Sequence, residues 1–120
     1  VILADTSVWV GHFRGVEPGL APLLLEGRVV MHPFVLGELA LGSFANRAEV
    51  LGDLAALPGV TVAMEAEVMR FIEVARLFGL GIGYVDAHLL AAVRLTPGVR
   101  FWTRDRGLGV VLERVGVGLK

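Results

Sequence analysis

Val1-Ile2-Leu3-Ala4-Asp5-Thr6-Ser7-Val8-Trp9 is the stretch on which the fold turns: four apolar residues run without a break into a carboxylate. An unbroken apolar run, rather than alternation, suits a strand covered on both faces, as in a parallel sheet. A helical pattern follows over Ser7–Phe13 and breaks at Gly15. The arrangement returns late in the chain. Val99–Thr103 is a predicted strand, Asp105 stands just past it, and Gly107–Arg114 is a predicted helix.

Between these ends, strands and helices alternate. Leu20–Leu25 is a helical patch whose start is blurred by Pro18 and Pro22. Arg28–His32 is a predicted strand, and Pro33 suits the first turn of a helix running through Leu41. Asn46 is an expected N-cap for a helix to about Leu57, ended by Pro58–Gly59. Val60–Val62 is expected to be a further short strand. Met64–Phe78 carries Arg70, Glu73 and Arg76 three apart among apolar residues, the pattern of a helix with one solvated stripe. A glycine-rich loop, Gly79–Gly83, leads into a helix over Tyr84–Leu95, and Val115–Leu119 is a candidate edge strand. Such alternation predicts an α/β fold, with a mostly parallel sheet covered by helices on both faces. Ligands in these folds bind beyond the carboxyl ends of the strands.

With 120 residues the chain is the size of a single domain spanning 1–120. It is 55% hydrophobic and 19% charged, apolar for so small a soluble protein, so either its core is large for its length or part of its surface is covered by another chain, and a homodimer is expected. No apolar run is long enough to cross a membrane, and the start lacks the basic segment of a signal peptide, so a cytoplasmic location is expected. With no cysteine, disulfides and thiolate metal sites are excluded.

Of twelve acidic residues, most lie in polar or helix-surface contexts. Four do not. Asp5 follows the first strand, Glu38 stands within Phe34-Val35-Leu36-Gly37-Glu38-Leu39-Ala40-Leu41, Asp86 opens a very apolar helix, and Asp105 follows the last long strand. A carboxylate against apolar surface loses hydration at a cost of several kcal/mol unless a cation or donors compensate. Asp5 and Asp105 fall where such a sheet places its site, Asp86 sits at a helix N-terminus, and Glu38 reaches the same cleft if its helix flanks the first strand. Four oxygen ligands without Cys or His suit a hard divalent cation such as Mg2+ or Mn2+, the apparatus of phosphodiester hydrolysis. Each acid also has a plain role open to it: helix cap for Asp5, helix-start charge for Asp86, solvent-facing side chain for Glu38, turn residue for Asp105.

These residues resemble a known family. Asp5-Thr6-Ser7-Val8-Trp9, Leu36-Gly37-Glu38-Leu39, Tyr84-Val85-Asp86-Ala87-His88-Leu89-Leu90-Ala91-Ala92 and Trp102-Thr103-Arg104-Asp105-Arg106 are similar, in order and spacing, to the four motifs of PIN-domain ribonucleases of VapC type, the toxins of prokaryotic toxin–antitoxin pairs. The resemblance spans nearly the whole chain and implies a three-layer α/β/α fold, Mg2+- or Mn2+-dependent RNA cleavage, homodimers and inhibition by a cognate VapB-like antitoxin. It does not name the RNA, whether tRNA or another structured species. Within it, Asp5 and Asp86 are expected to bind metal directly, and Glu38 and Asp105 directly or through water. Thr103 and Ser7 are candidates to orient the carboxylates. His88, two positions past Asp86, is expected to face elsewhere.

The net charge of −1 carries no global signal for nucleic acid. Setting the four acids aside leaves eleven bases against eight acids. Arg14, Arg100, Arg104 and Arg106 are then candidates for phosphate contacts. The alternative function is a catalytically silent PIN-like module that binds RNA or a partner. Other strand-end acid folds fit poorly: a receiver domain needs an acidic pair after the first strand and a late Lys, yet only Asp5 and the terminal Lys120 are present. A dehalogenase-type phosphatase needs Asp-x-Asp, and no phosphate-binding Gly-rich loop ending in Lys-Ser or Lys-Thr occurs.

Overall fold

The apolar opening run forms the middle of the sheet. A computed structural model describes residues 1–116. In it β1 (Ile2–Ala4) lies between β2 (Val29–Val30) and β3 (Arg100–Trp102), all parallel, in the order β2-β1-β3. Ile2 pairs with Val29 and Arg100, and Ala4 with Trp102. All three β1 residues are buried, as the unbroken apolar pattern requires.

Among the described residues seven helices connect and cover these strands: α1 (Thr6–Phe13), α2 (Leu20–Leu25), α3 (Pro33–Ala40), α4 (Arg47–Ala55), α5 (Glu65–Val74), α6 (Tyr84–Leu95) and α7 (Arg106–Val115). The chain moves outward from β1 to β2 and on to an isolated parallel bridge between Met31 and Gly59, then crosses back over β1 to β3. Right-handed crossovers place helices traversed outward on one face and those traversed on the return on the other. The packing agrees: α1 meets α2 and α3, α3 meets α4, and separately α5 meets α6 and α6 meets β3. The direction of winding reverses between β1 and β3, so the crevice of this α/β/α fold lies beyond their carboxyl ends. Trp9, Leu20, Leu89, Leu90, Phe101 and Leu112 fill the core at 1% exposure or less.

Some elements differ from expectation, each for a local reason. Val60–Val62 is not a strand: Val60 N–H still donates to Met31 O, but Thr61 N–H turns to Thr96 Oγ1 at 2.9 Å, drawing the chain toward the end of α6. Strand β2 is shorter than Arg28–His32 because His32 leaves the ladder to cap α3, its Nδ1 accepting from Phe34 N–H at 2.9 Å. Asn46 occupies the N-cap position of α4 at φ 54 and makes no side-chain cap bond. Helix α5 stops short of Phe78: Leu77 N–H bonds Ile72 O and Arg76 N–H bonds Glu73 O, with Arg76 at φ 55. That is a Schellman ending with Arg where Gly is usual. Val115 closes α7 rather than opening an edge strand, and the rest of Val115–Leu119 beyond Gly116 lies outside the described residues.

Candidate active site

Asp5, Asp86 and Asp105 stand at the starts of three helices. Asp5 is the N-cap of α1, only 6% exposed, and its Oδ1 accepts from Val8 N–H at 3.2 Å and from Ser7 Oγ at 2.5 Å. Asp105 caps α7 in the same way, accepting from Leu108 N–H at 3.1 Å. Asp86, in the first turn of α6, reaches back to accept from Gly83 N–H at 3.1 Å. Unpaired N–H groups and the dipole at each of these ends favour negative charge. Glu38 is on the second turn of α3, exposed, with Oε1 accepting from Thr6 Oγ1 at 2.6 Å. The helix-cap role open to Asp5 and the turn role open to Asp105 are therefore real, and the same bonds orient their carboxylates.

The four acids share one electrostatic environment. Burial raises the pKa of Asp86 above its ordinary value; the Gly83 hydrogen bond works against this, and the charges of Asp5, Asp105 and Glu38 raise it further. The charges of those three acids are thus felt at Asp86. Among the described residues no cationic side chain forms an ion pair with any of the four; the ion pair present, Arg28–Glu26, lies elsewhere. In each acid one oxygen is held by a local donor, while Asp5 Oδ2, Glu38 Oε2, Asp86 Oδ1 and Asp105 Oδ2 take no hydrogen bond from the described residues. In this arrangement no three His, Asp or Glu side chains among the described residues are close enough to enclose a metal ion. The donor set nevertheless fits a hard cation: hard oxygen donors, an uncompensated charge, and one unengaged oxygen per carboxylate.

Hydroxyls tie the motifs together. Ser7 Oγ donates to Asp5 and accepts from Arg104 N–H at 3.0 Å, joining the β1–α1 turn to the segment that carries Asp105. Thr103 Oγ1 accepts from Asp105 N–H at 3.0 Å and fixes that turn. Thr6 was not singled out from the sequence; its signal lay in its place beside Asp5, at the top of the first strand. Arg104 packs over Gly11 of α1, close enough that a Cβ there would strike its guanidinium. Arg104, Asp105 and Arg106 line one recess with Thr103, and Arg14 lines another with Glu38. Arg100 pairs with Ile2 at the amino end of β3, away from the acids.

His88 makes no hydrogen bond to the acids. It is 3% exposed and packs against His32, Phe34 and Tyr84, ring centroids 6.5, 4.6 and 4.6 Å away. His32, fully buried, has its pKa lowered to about 4 by burial first and then by His88.

Residues 2–114 match the sequence profile of the family described as PIN domain. Ribonuclease VapC32 of Mycobacterium tuberculosis, from two strains, is 44% identical over 119 residues, covering 99% of this chain and 96% of the relative.

Proposed function

This chain belongs to the PIN-domain family, and from that premise we propose that it is a metal-dependent endoribonuclease, the toxin of a toxin–antitoxin pair. The observation that carries the proposal is the action of the charges of Asp5, Asp105 and Glu38 on Asp86, with no ion pair to any of the four among the described residues. A silent binding module gains nothing from four acids so placed; an ion-assisted hydrolase requires them. Full-length similarity to a protein named as a ribonuclease supports the same conclusion.

Asp5 and Asp86 would hold Mg2+ or Mn2+, with Glu38 and Asp105 completing the anionic pocket directly or through water. Such an ion, when bound, supplies a water of lowered pKa and neutralises charge on the phosphoryl oxygens. The protein does the positioning. Ser7 fixes Asp5, Thr6 fixes Glu38, Thr103 fixes the turn of Asp105, and three helix N-termini stabilise the anions. Arg14, Arg104 and Arg106 would meet phosphates, a reading supported by the recesses they line with Glu38 and Asp105; Arg100 stands at the other end of β3 from the turn of Asp105.

The chain acts as one domain over 1–120, as a homodimer, in the cytoplasm, where RNA and a VapB-like antitoxin are met. Exposed apolar side chains support an associated state: Leu25 and Leu41 are each 90% exposed and Val74 is 74% exposed. Among the described residues no helix is long and apolar enough to cross a membrane. Incubating bulk tRNA with the purified chain tests the activity. Cleavage in millimolar Mg2+ and none in EDTA is expected; RNA left intact in both would favour the silent module.

A further inference from the structure

A recess of about 380 Å³ opens beside the acids, and Thr6 and Glu38 belong to its wall as well as to the acidic site. Its apolar side combines Val10 and Leu39 with two rings, Phe13, at the end of α1, and Phe44, in the α3–α4 connection. Their rings stack with centroids 5.1 Å apart and planes 12° apart. Phe13 is 36% exposed, so the pair is not closed over by the chain. Arg14 lies on the same wall, exposed, and forms no ion pair with a described carboxylate, although Glu38 lines the recess too. The hydroxyl-bearing Ser43 also lines it.

Aromatic rings, a hydroxyl and an unpaired guanidinium, continuous with acids that act on a phosphodiester, match the parts of one nucleotide. We propose that this recess is a nucleotide subsite: the base next to the scissile phosphate lies against the Phe13–Phe44 pair, and Arg14 meets a neighbouring phosphate. This rests on the ribonuclease function proposed above and narrows its substrate. A base inside a duplex is stacked on both faces and cannot enter, so the RNA is unpaired where it is cut. An apolar segment of a protein partner is the rival occupant. The free Arg14 and the wall shared with the acids favour RNA, since an apolar peptide calls for neither.

The test separates binding from cleavage. A short labelled single-stranded RNA is bound in EDTA at low salt, together with a series in which one nucleotide at a time is abasic. One abasic position should weaken binding to the wild type about tenfold, the size of one lost base–aromatic contact. Phe44→Leu keeps the apolar volume without a ring face; it should bind the intact RNA about tenfold more weakly and lose nothing further at that abasic position. Phe44→Tyr should restore both. The proposal is overturned if no abasic position matters, or if the abasic penalty is the same in Phe44→Leu as in the wild type. It is equally overturned if Phe44→Leu binds RNA like the wild type but no longer binds a co-expressed antitoxin. An abasic signature in a chain that never cuts RNA in Mg2+ would support the subsite and contradict the ribonuclease.

Discussion

Replacing Asp5 with Asn and with Ala separates its cap role from its place in the anionic site. Both variants remove the charge that helps raise the proton affinity of Asp86. Only Ala also removes the acceptor that Val8 N–H and Ser7 Oγ use at 3.2 and 2.5 Å. Losing an N-cap costs about 1 kcal/mol, and leaving the Ser7 hydroxyl without its acceptor brings the total to roughly 1–2 kcal/mol. An unfolding entropy of about 2.1 cal/mol/K per residue makes 1 kcal/mol worth about 4 °C in a chain of this length. In EDTA, Asp5→Ala should therefore melt about 4–8 °C below Asp5→Asn. Asp5→Asn should match or exceed the wild type, because a mutually repelling carboxylate is gone. Mg2+ at about ten times its Kd should stabilise the wild type by roughly 1.4 kcal/mol, or about 6 °C. Neither variant should gain more than a small part of that. Thermal melts by circular dichroism, with and without Mg2+, read all of these. An equal Mg2+ gain in wild type and both variants would refute the shared site, and equal melting of Asn and Ala in EDTA would refute the cap.

Thr6→Val, which keeps the shape but deletes the 2.6 Å bond to Glu38, should shift Tm by no more than about 4 °C while slowing cleavage at limiting Mg2+ about tenfold, as single-turnover rates would show. The folded pKa of Asp86 lies above its unfolded value of 3.8, so between the two the native state holds the extra proton and stability falls as pH rises. Asp86→Asn should lose that slope in metal-free urea titrations run across pH. His32 has the opposite sign: its pKa drops from 6.5 to about 4 on folding, so stability is lost as pH falls through that window, by about 3 kcal/mol in all. His32→Asn retains a side chain able to cap α3 and should flatten that slope, measured as the difference from wild type. Light scattering at tens of micromolar should report a dimer; a monomer would remove the basis for a covered apolar surface.

What the sequence revealed depended on how local the cause was. Asp5 and Asp105 stood out because each follows an apolar strand run, and a parallel sheet leaves little freedom in where a strand ends. Asp86 and Glu38 stood out as charges inside apolar helices, and in the fold the charges of Asp5 and Glu38 both act on Asp86. Long-range choices were hidden. Val60–Val62 has a strand composition, yet Thr96, far along the chain, takes the N–H of Thr61. His32 reads as a strand residue and acts as a cap because Pro33 opens a helix directly after it. Arg76 ends α5 in a conformation that a non-glycine residue rarely announces. Arg100 and Arg104 look alike in sequence, but β3 places them at opposite ends of the sheet, and only the turn past the strand nears the acids. Thr6 and its bond to Glu38 became visible only once α1 and α3 were packed side by side.

Single-turnover cleavage of one mapped RNA, compared between wild type and Asp5→Asn at saturating Mg2+, tests the central claim most directly. Asp5→Asn keeps the cap and the fold, so its rate isolates the carboxylate. The four-acid site predicts cleavage by the wild type that EDTA abolishes, and a loss on the order of 100-fold or more in Asp5→Asn. Cleavage by Asp5→Asn at the wild-type rate, with the same dependence on Mg2+, would contradict it.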